Sequence, residues 1–198
     1  MAEHPVVGPL FSSHLIEEAV IANLRKWLPG YLTVACEEHG VDEGIAAIKS
    51  WGLGSSAERW PEQGFPALLV VGGPARDVEK NGESYRAKWP FEVGIAVRGD
   101  IPHKARMHAQ VYAAAVRGAI LQRRSLGSQL RSADWEGEDP AEGHDDQKRT
   151  VAAVSNSFVV FQENVVFWKR GPGSSDGVIP DRWPMVKETH VETEIQDP

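Results

Sequence analysis

The sequence predicts an α+β fold: a mostly antiparallel sheet with two main helices packed on one face, long loops and an extended C-terminal tail. Three patterns predict it. From Tyr85 to Arg98 the odd positions (Tyr85, Ala87, Trp89, Phe91, Val93, Ile95, Val97) are apolar, while the even ones (Arg86, Lys88, Pro90, Glu92, Gly94, Ala96, Arg98) are polar or small. Successive strand side chains point to opposite faces, so this is a strand with one dry and one wet face. Phe65 to Val71 is a short apolar run bounded by glycines, the pattern of a buried strand. Asn81-Gly82 between the two runs is a strong hairpin signal, so the long strand is expected to pair back antiparallel to the first. The third pattern is a pair of apolar stripes at helical spacing, one before and one after these strands.

In the first helix, Ser13 is the expected N-cap, because a hydroxyl can accept from an orphan backbone N–H. Glu17 and Glu18 fall near the positive helix end and Arg25 and Lys26 near the negative one. Ile16, Ala19, Val20, Leu24, Trp27 and Leu28 form the stripe, Pro29-Gly30 is expected to interrupt it, and Tyr31 to His39 to resume it for two turns. Val41 to Gly64 reads as an irregular excursion with a short strand at Ala46 to Trp51, in which Trp51 and Trp60 anchor a loop to the core. The Tyr85–Arg98 run would span roughly 45 Å at strand rise, far beyond a strand of about 5 or 6 residues. Either Pro90 bends it, or one end projects toward another molecule.

Pro102 suits the first turn of a second helix, where its missing N–H costs nothing, and the pattern runs from His103 to Arg124. Ala105, Ala109, Tyr112, Ala113, Val116 and Ile120 make its buried stripe, with Arg106, Gln110, Arg117 and Arg124 opposite. Gly118 marks a close contact, since glycine inside a helix otherwise costs about 1 kcal/mol relative to alanine. A strand containing Trp135 is expected at Ala133 to Gly137. Between Asp134 and Asp146 stand seven acids and no Lys or Arg, a composition that reads as a solvated loop. Thr150 to Lys169 is β-rich with apolar residues on both faces, a central strand or two strands broken near Gln162 to Asn164. The composition changes after Arg170, so the reading is one domain over 1–170 and an extended arm over 171–198, where Val191 and Ile195 can form a short strand on a partner's edge.

With 198 residues, the chain has enough length for a sizeable core. Its net charge of −7 argues against sequence-independent binding to nucleic-acid phosphates, which needs clustered cations. The lone Cys36 allows no intrachain disulfide and points to a reducing compartment; it reads as a small buried residue. No apolar run is long enough for a membrane span, and residues 1–10 lack a signal pattern. No cofactor is expected. No G-x-S-x-G nucleophile turn or phosphate-binding Lys loop occurs. His103 and His108 are not at the i, i+4 spacing of a helical metal pair. His144-Asp145-Asp146 is the one cluster able to attract a cation, which keeps a small metal-dependent enzyme built on Glu138 to Asp146 as a competing reading.

The order of several segments carries a family resemblance. These are Phe65-Pro66-Ala67-Leu68-Leu69-Val70-Val71, Tyr85-Arg86-Ala87-Lys88-Trp89 opening the strand to Val97-Arg98-Gly99, Tyr112-Ala113-Ala114-Ala115-Val116-Arg117 with Ile120-Leu121-Gln122, Ser125-Leu126-Gly127, and Trp135-Glu136-Gly137-Glu138. Over roughly Leu15 to Pro172 the chain resembles the tail terminator proteins of siphophages of actinobacteria, relatives of the head-tail joining and tail completion group. The resemblance implies a structural virion protein at the tail-neck junction, made in the host bacterial cytoplasm and without catalytic residues. It implies a homo-oligomeric ring, a hexamer, that caps the head-proximal end of the tail tube. Its partners would be the tail tube protein and a neck or connector protein, with genomic DNA passing the lumen without specific binding. A head-tail adaptor, a stopper and a tube subunit are the neighbouring readings. Subunit or tube contacts are expected at Arg86, Lys88, Arg106, Arg117, Arg124, Trp135, Glu136, Glu138, Asp139, Trp183, Val191 and Ile195.

Overall fold

The computed structural model describes residues 12–41, 45–54, 64–81, 84–122, 133–145 and 148–163. These form α1 (Ser13–Glu38), β1 (Ser50–Leu53), β2 (Ala67–Gly72), β3 (Arg76–Asn81), β4 (Ser84–Gly99), α2 (Pro102–Leu121), β5 (Ala133–His144) and β6 (Thr150–Gln162). The six strands make one sheet in the order β1-β2-β4-β6-β5, with β3 also paired to β4. All pairings are antiparallel except the parallel β1–β2 ladder. Both helices lie on one face, so the α+β class and its layering are as the periodicities predict.

The register explains the core. Leu68 and Val70 of β2 stand opposite Ile95 and Val93 of β4, which in turn stand opposite Val154 and Asn156 of β6. Paired residues share a face, and all six are buried. Phe91 and Phe158 are opposite each other and stack, with ring centroids 5.2 Å apart. β4 runs through Pro90 without ending, because the chain beside it changes from β2 to β3 near that point.

Four local expectations are corrected. Helix α1 is continuous through Pro29. Ile16, Val20, Leu24, Leu28, Leu32 and Ala35 are buried on a stripe that crosses the proline, and side chains worth about 1.5–3 kcal/mol each when buried outweigh the roughly 3 kcal/mol cost of an interior proline. Ser13 is the first helical residue, and Ser12 occupies the N-cap position without a side-chain capping bond. Glu17 does not serve the helix end. It is buried, and its Oε1 accepts the Gly72 N–H at 2.7 Å, tying α1 to β2. A Cβ at Gly72 would stand 2.9 Å from the Ser13 Cβ, so this contact needs glycine. The short strand expected at Ala46 to Trp51 forms later, as β1. The Tyr112 hydroxyl donates to the Ala46 carbonyl and holds the segment before β1 against α2, and burial pushes that hydroxyl's pKa well up.

Helix α2 is buried more widely than its predicted stripe, with Val111, Ala115 and Ala119 added. It is gripped by α1 on one side and by β4, β6 and β5 on the other. Gly118 is the close contact expected: a Cβ there would stand 3.1 Å from Tyr31 Cδ1 of α1. Trp51 packs against the core as expected, but from within β1 rather than from a loop. Trp60, Arg124 and the arm over 171–198 lie outside the described residues.

Candidate assembly interface

The acidic stretch is not a loop. It is β5, a 12-residue edge strand paired to β6 along its length. Composition alone would leave it solvated, but β6 supplies a full ladder on one side and α2 supplies cations beneath. Arg117 Nη1 donates to Glu138 Oε2 at 2.8 Å, and Arg106 donates to Glu142. The spacing fits: from Arg106 to Arg117 a helix rises roughly 16 Å, and from Glu138 to Glu142 a strand rises roughly 13 Å. Pro140 is tolerated because an edge strand has one unpaired side.

A bulge gives this edge its geometry. The β5–β6 register shifts between Trp135 and Gly137, so Trp135 faces Phe158 and Glu138 faces Asn156. Phe158 and Asn156 both point toward the helices, so Trp135 and Glu138 share that face although they are three residues apart. The Arg117 guanidinium therefore sits 4.7 Å from the Trp135 ring centroid while bonding Glu138. Arg117, Trp135 and Glu138 are thus joined within the chain, and Arg106 is bound separately to Glu142. Glu136 and Asp139 are exposed on the same edge.

At the other side of the sheet β3 and β4 form a hairpin that projects. Among the described residues β3 packs on β4 alone. Arg86 donates to Glu79 and Lys88 to Asp77, the latter at 2.8 Å, so these two predicted interface cations are bound to their own hairpin. Lys88 holds the Asp77 carboxyl below its ordinary range, and Asp77 raises Lys88 in return. Lys80 pairs with Tyr85, and Val78 falls in a shift of the β3–β4 register between Arg76 and Glu79. Val78 is 58% exposed.

The second face of the sheet carries no helix among the described residues. Its centre mixes small residues with larger ones, Gly94 opposite Leu69 and Ser155, Ala96 opposite Ala67 and Ala153, Glu92 opposite Val71 and Ser157, and Ala67 and Ala96 are buried. Ser155 Oγ donates to Glu92 at 3.3 Å. Arg98 lies over Phe65 and 3.6 Å from Asp145. Asp145 also accepts from the Arg149 backbone and from Arg149 Nε, at 2.8 and 2.9 Å, and so fastens the β5–β6 turn. No group of three or more His, Cys, Asp or Glu among the described residues could hold a metal.

Sequence reasoning missed a cleft of about 720 Å³ between the C-terminal half of α1 and the segment leading into β1. Leu28, Leu32, Val41, Ile45, Ile48 and Trp51 line it, with Arg25, Thr33 and Glu37 as polar members. Cys36, expected to be buried, is half-exposed in its wall. Only tertiary packing could reveal the cleft. Val78 was legible as a lone apolar residue in Arg-Asp-Val-Glu-Lys. Of the predicted interface residues, Arg124, Trp183, Val191 and Ile195 lie outside the described residues.

No protein-family model matches the chain, and no curated protein does. Among solved structures it has a loose likeness, at a TM-score of 0.45 and 15% identity, to a chain of the virion of a native gene transfer agent particle. The alignment covers 75% of this chain and 94% of that one.

Proposed function

We propose that this chain is a structural virion protein, a tail terminator whose six copies form a ring on the head-proximal end of the tail tube. The ring stops tube growth and joins the tail to the neck protein. The observation that carries this reading is the two-sided build of the described residues, with both helices on one sheet face, no described helix on the other, and a hairpin whose β3 packs on β4 alone. A ring subunit needs an outer wall, a lumen wall and a part that reaches its neighbour. The family resemblance in the order of sequence segments supports the same role.

On this reading the helix-free face lines the lumen. Of its described cations, Arg86, Lys88 and Arg98 each lie against a carboxylate, of Glu79, Asp77 and Asp145, and Arg76, opposite Lys88, is exposed. Genomic DNA passing such a wall meets few unpaired cations, so its phosphates are not held. Residues 1–170 form the ring domain, and 171–198 are an arm to a neighbouring copy or to the tube. No helix of the described residues is long and apolar enough to cross a membrane.

Light scattering of the purified full chain, alone and with tail tube protein, tests this. Closed six-copy rings that seat on one tube end and halt elongation are expected. Rings seated on the head-side connector instead would make it an adaptor or stopper, and self-polymerisation into tubes a tube subunit. A strict monomer that binds no tube would defeat the reading, and metal-dependent turnover lost in His144→Ala/Asp145→Asn would replace it with an enzyme.

A further inference from the structure

We infer that the β3–β4 hairpin of one copy docks in the α1–β1 cleft of a second copy, with Val78 and Tyr85 entering and Lys80 meeting Glu37. The inference rests on the ring reading and names the contact that closes the ring.

The two surfaces complement each other in shape, polarity and charge. Val78 and Tyr85 are among the large apolar residues left exposed, and they lie on a hairpin whose β3 packs, among the described residues, on β4 alone. The cleft is concave and apolar, of a size that takes a few side chains. The last turn of α1 is electronegative by construction. It carries Glu37 and Glu38 and no basic residue, although the negative end of the helix dipole favours a cation. Lys80 stands opposite Tyr85 on the hairpin, two residues from Val78, and so brings a cation to that end.

The placement makes the contact heterologous. β1 lies level with residues 93–96 of β4, because Ala67 is opposite both Ser50 and Ala96 while Val70 is opposite both Leu53 and Val93. The hairpin lies level with Ser84 to Lys88 of the same strand. Donor and acceptor patches are therefore separated by roughly 25 Å along the strand direction, and they differ in shape. Unlike patches on one subunit join head to tail, which gives a ring when the rotation closes.

A disulfide trap reads the contact directly, because Cys36 lines the cleft and is the chain's one cysteine. A disulfide needs Cα atoms within about 7 Å. Val78→Cys lies on an exposed site and should fold normally. Under mild oxidation it should give a ladder of linked subunits ending at the ring size, whereas V78C/C36S and the unmodified chain should give none. Lys80→Glu should raise the concentration for half-assembly at least tenfold, and adding Glu37→Lys should restore it. Rings seen by light scattering without a V78C ladder would overturn this contact and leave the ring reading standing. So would linkage in V78C/C36S, which reports hairpin against hairpin, or assembly indifferent to Lys80→Glu. Absence of any oligomer, with or without tube protein, would remove the ring reading and this contact together.

Discussion

β5 and β3 are both edge strands crowded with charge, yet they are held in different ways. β5 lies over α2, where Arg106 and Arg117 bond Glu142 and Glu138 and Trp135 lies against the Arg117 guanidinium. β3 has β4 beside it and, among the described residues, nothing beneath it. Its ion pairs, Asp77–Lys88 and Glu79–Arg86, are open to water, where such pairs add little. A charged strand is thus fixed by what underlies it and not by its composition. The anchored edge is tied to the helical layer, and the projecting one, among the described residues, rests on β4 alone.

The largest expected effect comes from the stack that both regions share through β4 and β6. Phe158→Ala should cost about 3–5 kcal/mol in urea unfolding, and a loss under 1 kcal/mol would show that the Phe91–Phe158 pair is not the common support. Next comes Arg117→Ala. This partly buried guanidinium bonds Glu138 and covers Trp135, so about 1–2 kcal/mol should be lost, with a matching blue-to-red change in Trp135 emission as water reaches the ring. An unaltered stability would remove the claim that α2 anchors β5. Hydrogen exchange gives the comparison a smaller, local form: β5 amides bonded to β6 should open only with global unfolding, and β3 amides by local fraying. Equal protection in the isolated subunit would erase the distinction.

The smallest effect belongs to the hairpin pair. Asp77→Asn should leave the global unfolding midpoint unchanged, and a clear shift would mean that β3 is coupled to the core. The sign with pH is fixed. The Asp77 carboxyl is lowered from 3.8, so its contribution is present above that value and fades as pH falls through the lower, folded one. Lys88 is raised from 10.5, so its share is present below that value and fades as pH rises through the higher one. Between these limits NMR shifts at Val78 should stay flat.

The alternation from Tyr85 to Arg98, the apolar run before it and the alanine stripe of α2 were legible because each pattern follows a backbone period that burial obeys. Gly118 was legible for the same reason, as a glycine at a position that punishes it. Arg117, Trp135 and Glu138 could be picked out as candidates, but not as a group that meets inside one chain. The bulge at Glu136 aligns two residues that simple alternation would separate, and bulges carry little local signature. The cleft beside Trp51 was illegible, since its walls come from two segments that meet only in the folded chain.

By itself the sequence determined the class of fold and the faces of the long strand and both helices, because local periodicity decides these. Tertiary structure decided the rest. Pro29 stays helical because a buried stripe crosses it. The acids of β5 form a strand because β6 and the arginines of α2 receive them. In each case burial and long-range pairing outweigh a local preference of a few kcal/mol.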